Sequence, residues 1–200
     1  MIRDLRNGIA AAGLILGLSM FVIATADTAL AAKGDNNKSQ EFVEDAQQYM
    51  DKGDINAAVI QLKNALQQDP NNVSARKLLG DIYLKVGNGP AAEKELKAAQ
   101  QRGANDKDIQ VLIARAYLLQ SKFDKVLKEL KDDVTDPKVR LEVLLTRGRA
   151  FLGINELKDA EVAFTEAEKI KKDDIRPKIG LVRILAVQNK VKEAEAKIDE

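Results

Sequence analysis

The sequence predicts an all-α fold, a right-handed α–α superhelical solenoid of stacked helical hairpins, on three observations. From Ser39 onward the chain repeats itself every 34 residues without insertion or deletion. No window alternates apolar and polar residues as a half-buried strand would. Glycine, proline or aspartate interrupts the chain about every 15 residues, the length of one arm of a hairpin, and so breaks the continuous heptads that a coiled coil needs.

Each column of the repeat has a packing task. Tyr49, Tyr83, Tyr117, Phe151 and Leu185 fall one period apart, and three residues before them stand Ala46, Gly80, Ala114, Gly148 and Val182. Nine residues after the aromatic column come Ala58, Ala92, Val126, Ala160 and Ala194, and four further on Leu62, Leu96, Leu130, Phe164 and Ile198. Two helices cross closely only where one presents a small side chain, so the small columns mark the crossings and the large ones fill the space around them. Small, aromatic, alanine, large apolar and proline in that order, at this period, resemble the tetratricopeptide repeat, a helix–turn–helix of about 34 residues. The resemblance implies a core running continuously from one hairpin to the next.

The boundary signals follow the same period. Gly53 and Gly87 stand where a first helix should stop, Asp54 and Asn88 suit the N-cap of the second, and Pro90 fits its first turn without losing a needed donor. Pro70 with Asn71 and Asn72, Gly103, Asp136 with Pro137, and Asp173 with Asp174 punctuate the joins. The repeats are placed at 39–72, 73–106, 107–140, 141–174 and, incomplete, 175–200. Because the last residues fall inside a second helix with no polar capping helix after them, the expectation is an N-terminal portion of a longer array.

The N-terminus reads differently. Arg3 and Arg6 precede an uncharged run over residues 7–26, and Ala29-Leu30-Ala31 follows as a small-x-small cleavage pattern. Residues 1–31 therefore read as a secretory signal peptide or, uncleaved, as a membrane anchor, with a polar linker at 32–38. Membrane contact is expected only through this segment. Export to the periplasm or cell envelope of a Gram-negative bacterium is the expectation.

Composition excludes much chemistry. The chain has no cysteine and no histidine, which removes disulfides, the usual zinc ligands, the commonest general base and the familiar nucleophilic triads. The acid pairs Asp132–Asp133 and Asp173–Asp174 lie at expected helix ends beside cations and read as caps. The glycines follow the repeat and gather into no phosphate loop. No cofactor, metal or enzymatic activity is expected. A net charge of +1 opposes the phosphate-seeking surface of an RNA-binding helical array, so nucleic acid is not an expected partner.

In such solenoids the first helix of each repeat lines the concave face. One register of that helix reads Gln47, Asp81, Arg115, Arg149 and Arg183, an arginine ladder suited to an acidic peptide, a C-terminal carboxylate or an anionic polysaccharide. Two further registers, Val43, Lys77, Val111, Leu145, Ile179 and Met50, Leu84, Leu118, Leu152, Ala186, would form an apolar floor beside it. In the opposing reading the arginines pair with acids on neighbouring second helices and the apolar residues only pack the next repeat. The expected partner-binding residues are Lys77, Asp81, Arg115, Arg149, Arg183, Leu84, Leu118 and Leu152.

The stretch 51–72, with Leu79-Gly-Asp-Ile-Tyr-Leu-Lys-Val-Gly87 and Ala91-Ala-Glu-Lys-Glu-Leu96, resembles the start of the tetratricopeptide lipoproteins of the bacterial exosortase (PEP-CTERM) system. That resemblance implies an exported protein linked to surface-protein sorting and exopolysaccharide production. Lipid attachment is not carried over, since residues 28–33 contain no cysteine. The combined expectation is a non-enzymatic scaffold holding a protein or peptide partner, with binding of an anionic polysaccharide as the alternative.

Overall fold

A computed structural model describes residues 35–104 and 106–199. The expected signal segment lies outside these residues. Among them ten helices and no strands occur: α1 (Asn36–Asp51), α2 (Ile55–Gln68), α3 (Val73–Lys85), α4 (Gly89–Gln101), α5 (Lys107–Leu119), α6 (Phe123–Glu129), α7 (Pro137–Gly153), α8 (Leu157–Ile170), α9 (Ile175–Val187) and α10 (Val191–Asp199). Successive pairs form hairpins. Each second helix also packs on the next first helix, and α3, α5, α7 and α9 pack in series, so the unit is a solenoid.

The stop at the end of each first helix recurs five times, although glycine supplies it only twice. Gly53, Gly87, Ser121, Asn155 and Asn189 all adopt positive φ, between 55° and 78°. In every repeat the next backbone N–H then donates to the carbonyl of the aromatic column, at 2.8–2.9 Å: Asp54 to Tyr49, Asn88 to Tyr83, Lys122 to Tyr117, Glu156 to Phe151 and Lys190 to Leu185. This is the six-to-one bond of a Schellman turn, which satisfies a carbonyl the helix would otherwise orphan. The first helices keep their side-chain N-caps, Asp35, Asn72, Asp106, Asp136 and Asp174, but those of the second helices degrade along the chain. Asp54 and Asn88 accept from the Ala57 and Ala91 N–H, whereas Lys122 and Glu156 make no side-chain cap bond.

The packing columns do their expected work. Ala58, Ala92, Val126, Ala160 and Ala194 are buried, as are Leu62, Leu96, Leu130 and Phe164. A Cβ at Gly80 would lie 2.5 Å from Leu96, and one at Gly148 or Gly180 within 2.8 Å of Phe164. The Phe164 ring is thus wedged against the bare backbones of α7 and α9. Tyr117 is fully buried, Tyr49 and Tyr83 half-buried.

Three details depart from expectation. The first helix starts at Asn36, inside the expected linker, because the Asp35 carboxylate accepts from the Lys38 N–H and caps it. α6 ends at Glu129, half the length of α4, since Asp132, Asp133, Val134 and Thr135 before Pro137 are poor helix formers. Arg147 of α7 closes the gap, donating to the carbonyls of Leu130 at 2.7 Å and Leu127 at 3.3 Å. Ile198, expected in the core, is exposed.

Candidate functional site: the concave groove

Four first helices and the first residue of α6 build a groove of about 620 Å³. α3 contributes Asp81, Leu84 and Lys85, α5 contributes Arg115, Leu118 and Leu119, α6 Phe123, α7 Arg149, Leu152 and Gly153, and α9 Arg183. Positions 34 residues apart share one face because each repeat reproduces the last, so the registers Asp81–Arg115–Arg149–Arg183 and Leu84–Leu118–Leu152 converge there.

Of the eight residues expected to bind a partner, seven line this groove. Lys77 does not, and its ammonium stands 3.9 Å from Asp106 instead. The companion register also fails as a floor: Val43, Val111 and Leu145 are buried in the core, leaving only Ile179 open. The floor comes from Leu84, Leu118 and Leu152, joined by Leu119 and Phe123. Phe123 reaches the groove because Gly153 makes room, a Cβ there falling 2.6 Å from its ring.

The arginines are not equivalent. Arg115 pairs with Glu142, which also accepts from Arg176 Nη1 at 3.0 Å and Nη2 at 2.8 Å. Arg176 is held in turn by Asp174, with Nη2–Oδ2 at 2.6 Å. Arg149 and Arg183 make no hydrogen bond or ion pair among the described residues. Glu142 lies on α7, a first helix, so the pairing anticipated from second helices occurs for Arg115 alone and from a different element. Asp81 pairs with Lys85 at 2.8 Å, which quiets the only acid of the lining.

Electrostatics follow this arrangement. Partial desolvation and then repulsion from Arg115, Arg176 and Arg183 lower the pKa of the solvent-facing Arg149, with Glu142 opposing them. A guanidinium keeps its proton regardless, so the strain persists as unbalanced positive charge. Hydrogen bonding from Arg176 holds the Asp174 carboxyl at about 2, and Asp174 and Glu142 raise the pKa of Arg176.

Sequence reasoning missed Glu142, Arg176 and Phe123, whereas Asp174, read as a cap, does cap α9 by accepting from the Arg176 N–H. The signal for Glu142 was present, since it precedes Arg149 by seven residues on one helix face and precedes Arg176 by one period. Opposite charges one period apart in a solenoid stand side by side.

Nothing in the described residues suggests activated chemistry. Burial raises the pKa of the Tyr117 hydroxyl, which donates to Glu129 Oε2 at 2.8 Å, the opposite of what an activated nucleophile needs. No group of three acids that could hold a metal occurs among the described residues, and no described helix is long and apolar enough to cross a membrane.

A tetratricopeptide-repeat family model matches residues 49–116. No curated protein matches the chain. Among solved structures, the chain is similar to MamA from residue 41 onward of Desulfovibrio magneticus RS-1, with TM-score 0.67 and 15% identity over 84% of this chain and 93% of that one. It is also similar to PilF of Pseudomonas aeruginosa, with TM-score 0.64 and 16% identity over 82% and 74% of the two chains. PilW, a type IV pilus biogenesis factor, gives TM-score 0.62 and 18% identity over 80% and 74%. With the recurring columns, the five left-handed stops and the serial packing of first helices, these likenesses establish residues 35–199 as a tetratricopeptide-repeat solenoid.

Proposed function

We propose that the protein is a non-enzymatic, exported scaffold whose concave groove holds a segment of a protein partner in the cell envelope. One observation carries the reading: Arg149 and Arg183 present unpaired guanidiniums beside the apolar floor of Leu84, Leu118, Leu152 and Phe123. An apolar floor with a few convergent polar groups is the usual anatomy of a recognition groove, and a peptide supplies both kinds of contact along one chain.

The envelope location rests on the signal-like residues 1–31, and a fold shared with the pilus biogenesis factor PilW is compatible with it. The residues resembling exosortase-system lipoproteins make surface-protein sorting or exopolysaccharide production the process in which such a scaffold would serve.

The test is cross-linking of the purified protein to components of an envelope extract, with mass spectrometry locating each cross-link. Partners should attach through α3, α5, α7 and α9, and be lost when Arg149 and Arg183 are both changed to Glu. Partners that attach elsewhere and survive the double change remove the groove from recognition. Binding to polygalacturonate in place of any protein transfers the groove to the polysaccharide alternative.

A further inference from the structure

We propose that Glu142 is an internal stand-in for a ligand carboxylate: by occupying Arg115 and Arg176 it reserves the groove for a peptide that presents two acidic side chains to Arg149 and Arg183. The inference rests on the groove reading above and specifies its ligand.

Arg115, Arg149 and Arg183 line one groove, and Arg115, Arg176 and Arg183 all stand within electrostatic reach of Arg149. Two carboxylates answer them. Glu142 takes Arg115 and both terminal nitrogens of Arg176, and Asp174 takes the remaining edge of Arg176, accepting from Nε at 2.9 Å and Nη2 at 2.6 Å. Both internal acids are therefore committed, and two guanidiniums remain without an anion.

A guanidinium cannot discard its proton, so Arg149 and Arg183 keep a positive charge that no carboxylate of the described residues answers and that attracts an external anion. Its planar fork matches a carboxylate in bidentate geometry, as Glu142 already demonstrates on Arg176. The leucines and Phe123 beside the two free arginines favour a ligand whose acids alternate with apolar side chains, which a peptide has and an acidic sugar chain lacks. The register carries a free arginine on α7 and on α9 but Asp81, paired with Lys85, on α3, which gives the site polarity: the acidic end of the peptide lies toward α7 and α9, away from α3.

The test measures fluorescence anisotropy with end-blocked peptides of about ten residues, built from leucine, alanine and glutamine and carrying zero, one, two or three glutamates. For the unmodified protein, the first and second glutamate should each tighten binding about three- to tenfold, and the third should add little. In Glu142→Gln the plateau should move, the third glutamate tightening binding by a similar factor, while Glu142→Asp restores the two-acid plateau. A merely structural role for Glu142 would weaken all peptides alike. Circular dichroism confirms that each variant is folded.

A plateau at two glutamates in both the unmodified protein and Glu142→Gln overturns the role of Glu142 and leaves the groove reading intact. Binding that ignores glutamate number, or no peptide binding at all, overturns the groove reading itself. Preference for polygalacturonate over every peptide overturns the peptide assignment.

Discussion

Ser121 occupies the left-handed stop of the third repeat at φ 55°, where the first two repeats place glycine. Its side chain is exposed and makes no hydrogen bond that would offset the crowding of its Cβ in that conformation. Ser121→Gly should therefore stabilise the protein by about 0.5–1 kcal/mol, read as a higher midpoint in urea at unchanged slope. Asn155→Gly should gain less, because asparagine tolerates this region. The glycines at 53 and 87 made the stop legible in the sequence, but its persistence at Ser121 did not show: the repeat geometry imposes the turn, and serine accepts it at a cost that composition does not display. Phe123 was hidden for a related reason. Its column is otherwise Ile55, Gly89, Leu157 and Val191, and only the bare backbone of Gly153 turns it into the groove.

Individual helices differ more than the period suggests. α6 has seven residues where α4 has thirteen, and its end carbonyls rely on Arg147. Three other repeats put Leu79, Ile113 and Leu181 at that position and the first puts Asp45, so the arginine looks like a second lapse in a mostly apolar column. It is a cap for a helix broken by its own downstream sequence. Arg147→Leu restores the column yet should destabilise the protein by about 1–3 kcal/mol, by stripping a charged donor from two carbonyls. Hydrogen exchange should quicken over 123–129 before other helices respond. The columns made each helix legible, whereas the length of α6 depended on weighing Asp132 to Pro137 against a strong periodic expectation. The arginine register was equally legible, but which of its members are free depended on Glu142, whose partners lie 27 and 34 residues away in sequence.

Links between repeats give the whole solenoid its response to acid. Glu93 of α4 accepts from Lys122 and Gln120 at 2.8 Å, bridging into the next hairpin. Burial alone would raise its pKa, but these hydrogen bonds and the nearby lysines outweigh it and hold the carboxyl at about 2 against an ordinary 4.5. Asp174, bonded by Arg176, is likewise held at about 2 against 3.8. A carboxyl with a depressed folded-state pKa contributes stability above its unfolded value and loses it as pH falls toward the folded one. Denaturation midpoints should thus decline from about pH 4.5 to about pH 2. The double variant Glu93→Gln, Asp174→Asn should be weaker at neutral pH and flatter across that window. An equal decline in both proteins would place the acid sensitivity in other carboxylates.

One helix joins these levels. With 3.6 residues per turn, Arg147 and Arg149 project from nearly opposite sides of α7, while Glu142 and Arg149 share a side. The girder that carries Arg149 into the groove is consequently bolted, on its back, to the end of α6. A peptide engaging Arg149 should therefore shift the amide signals of residues 127–130 on the far side of α7, and unchanged signals at saturation would show that the two sides are uncoupled.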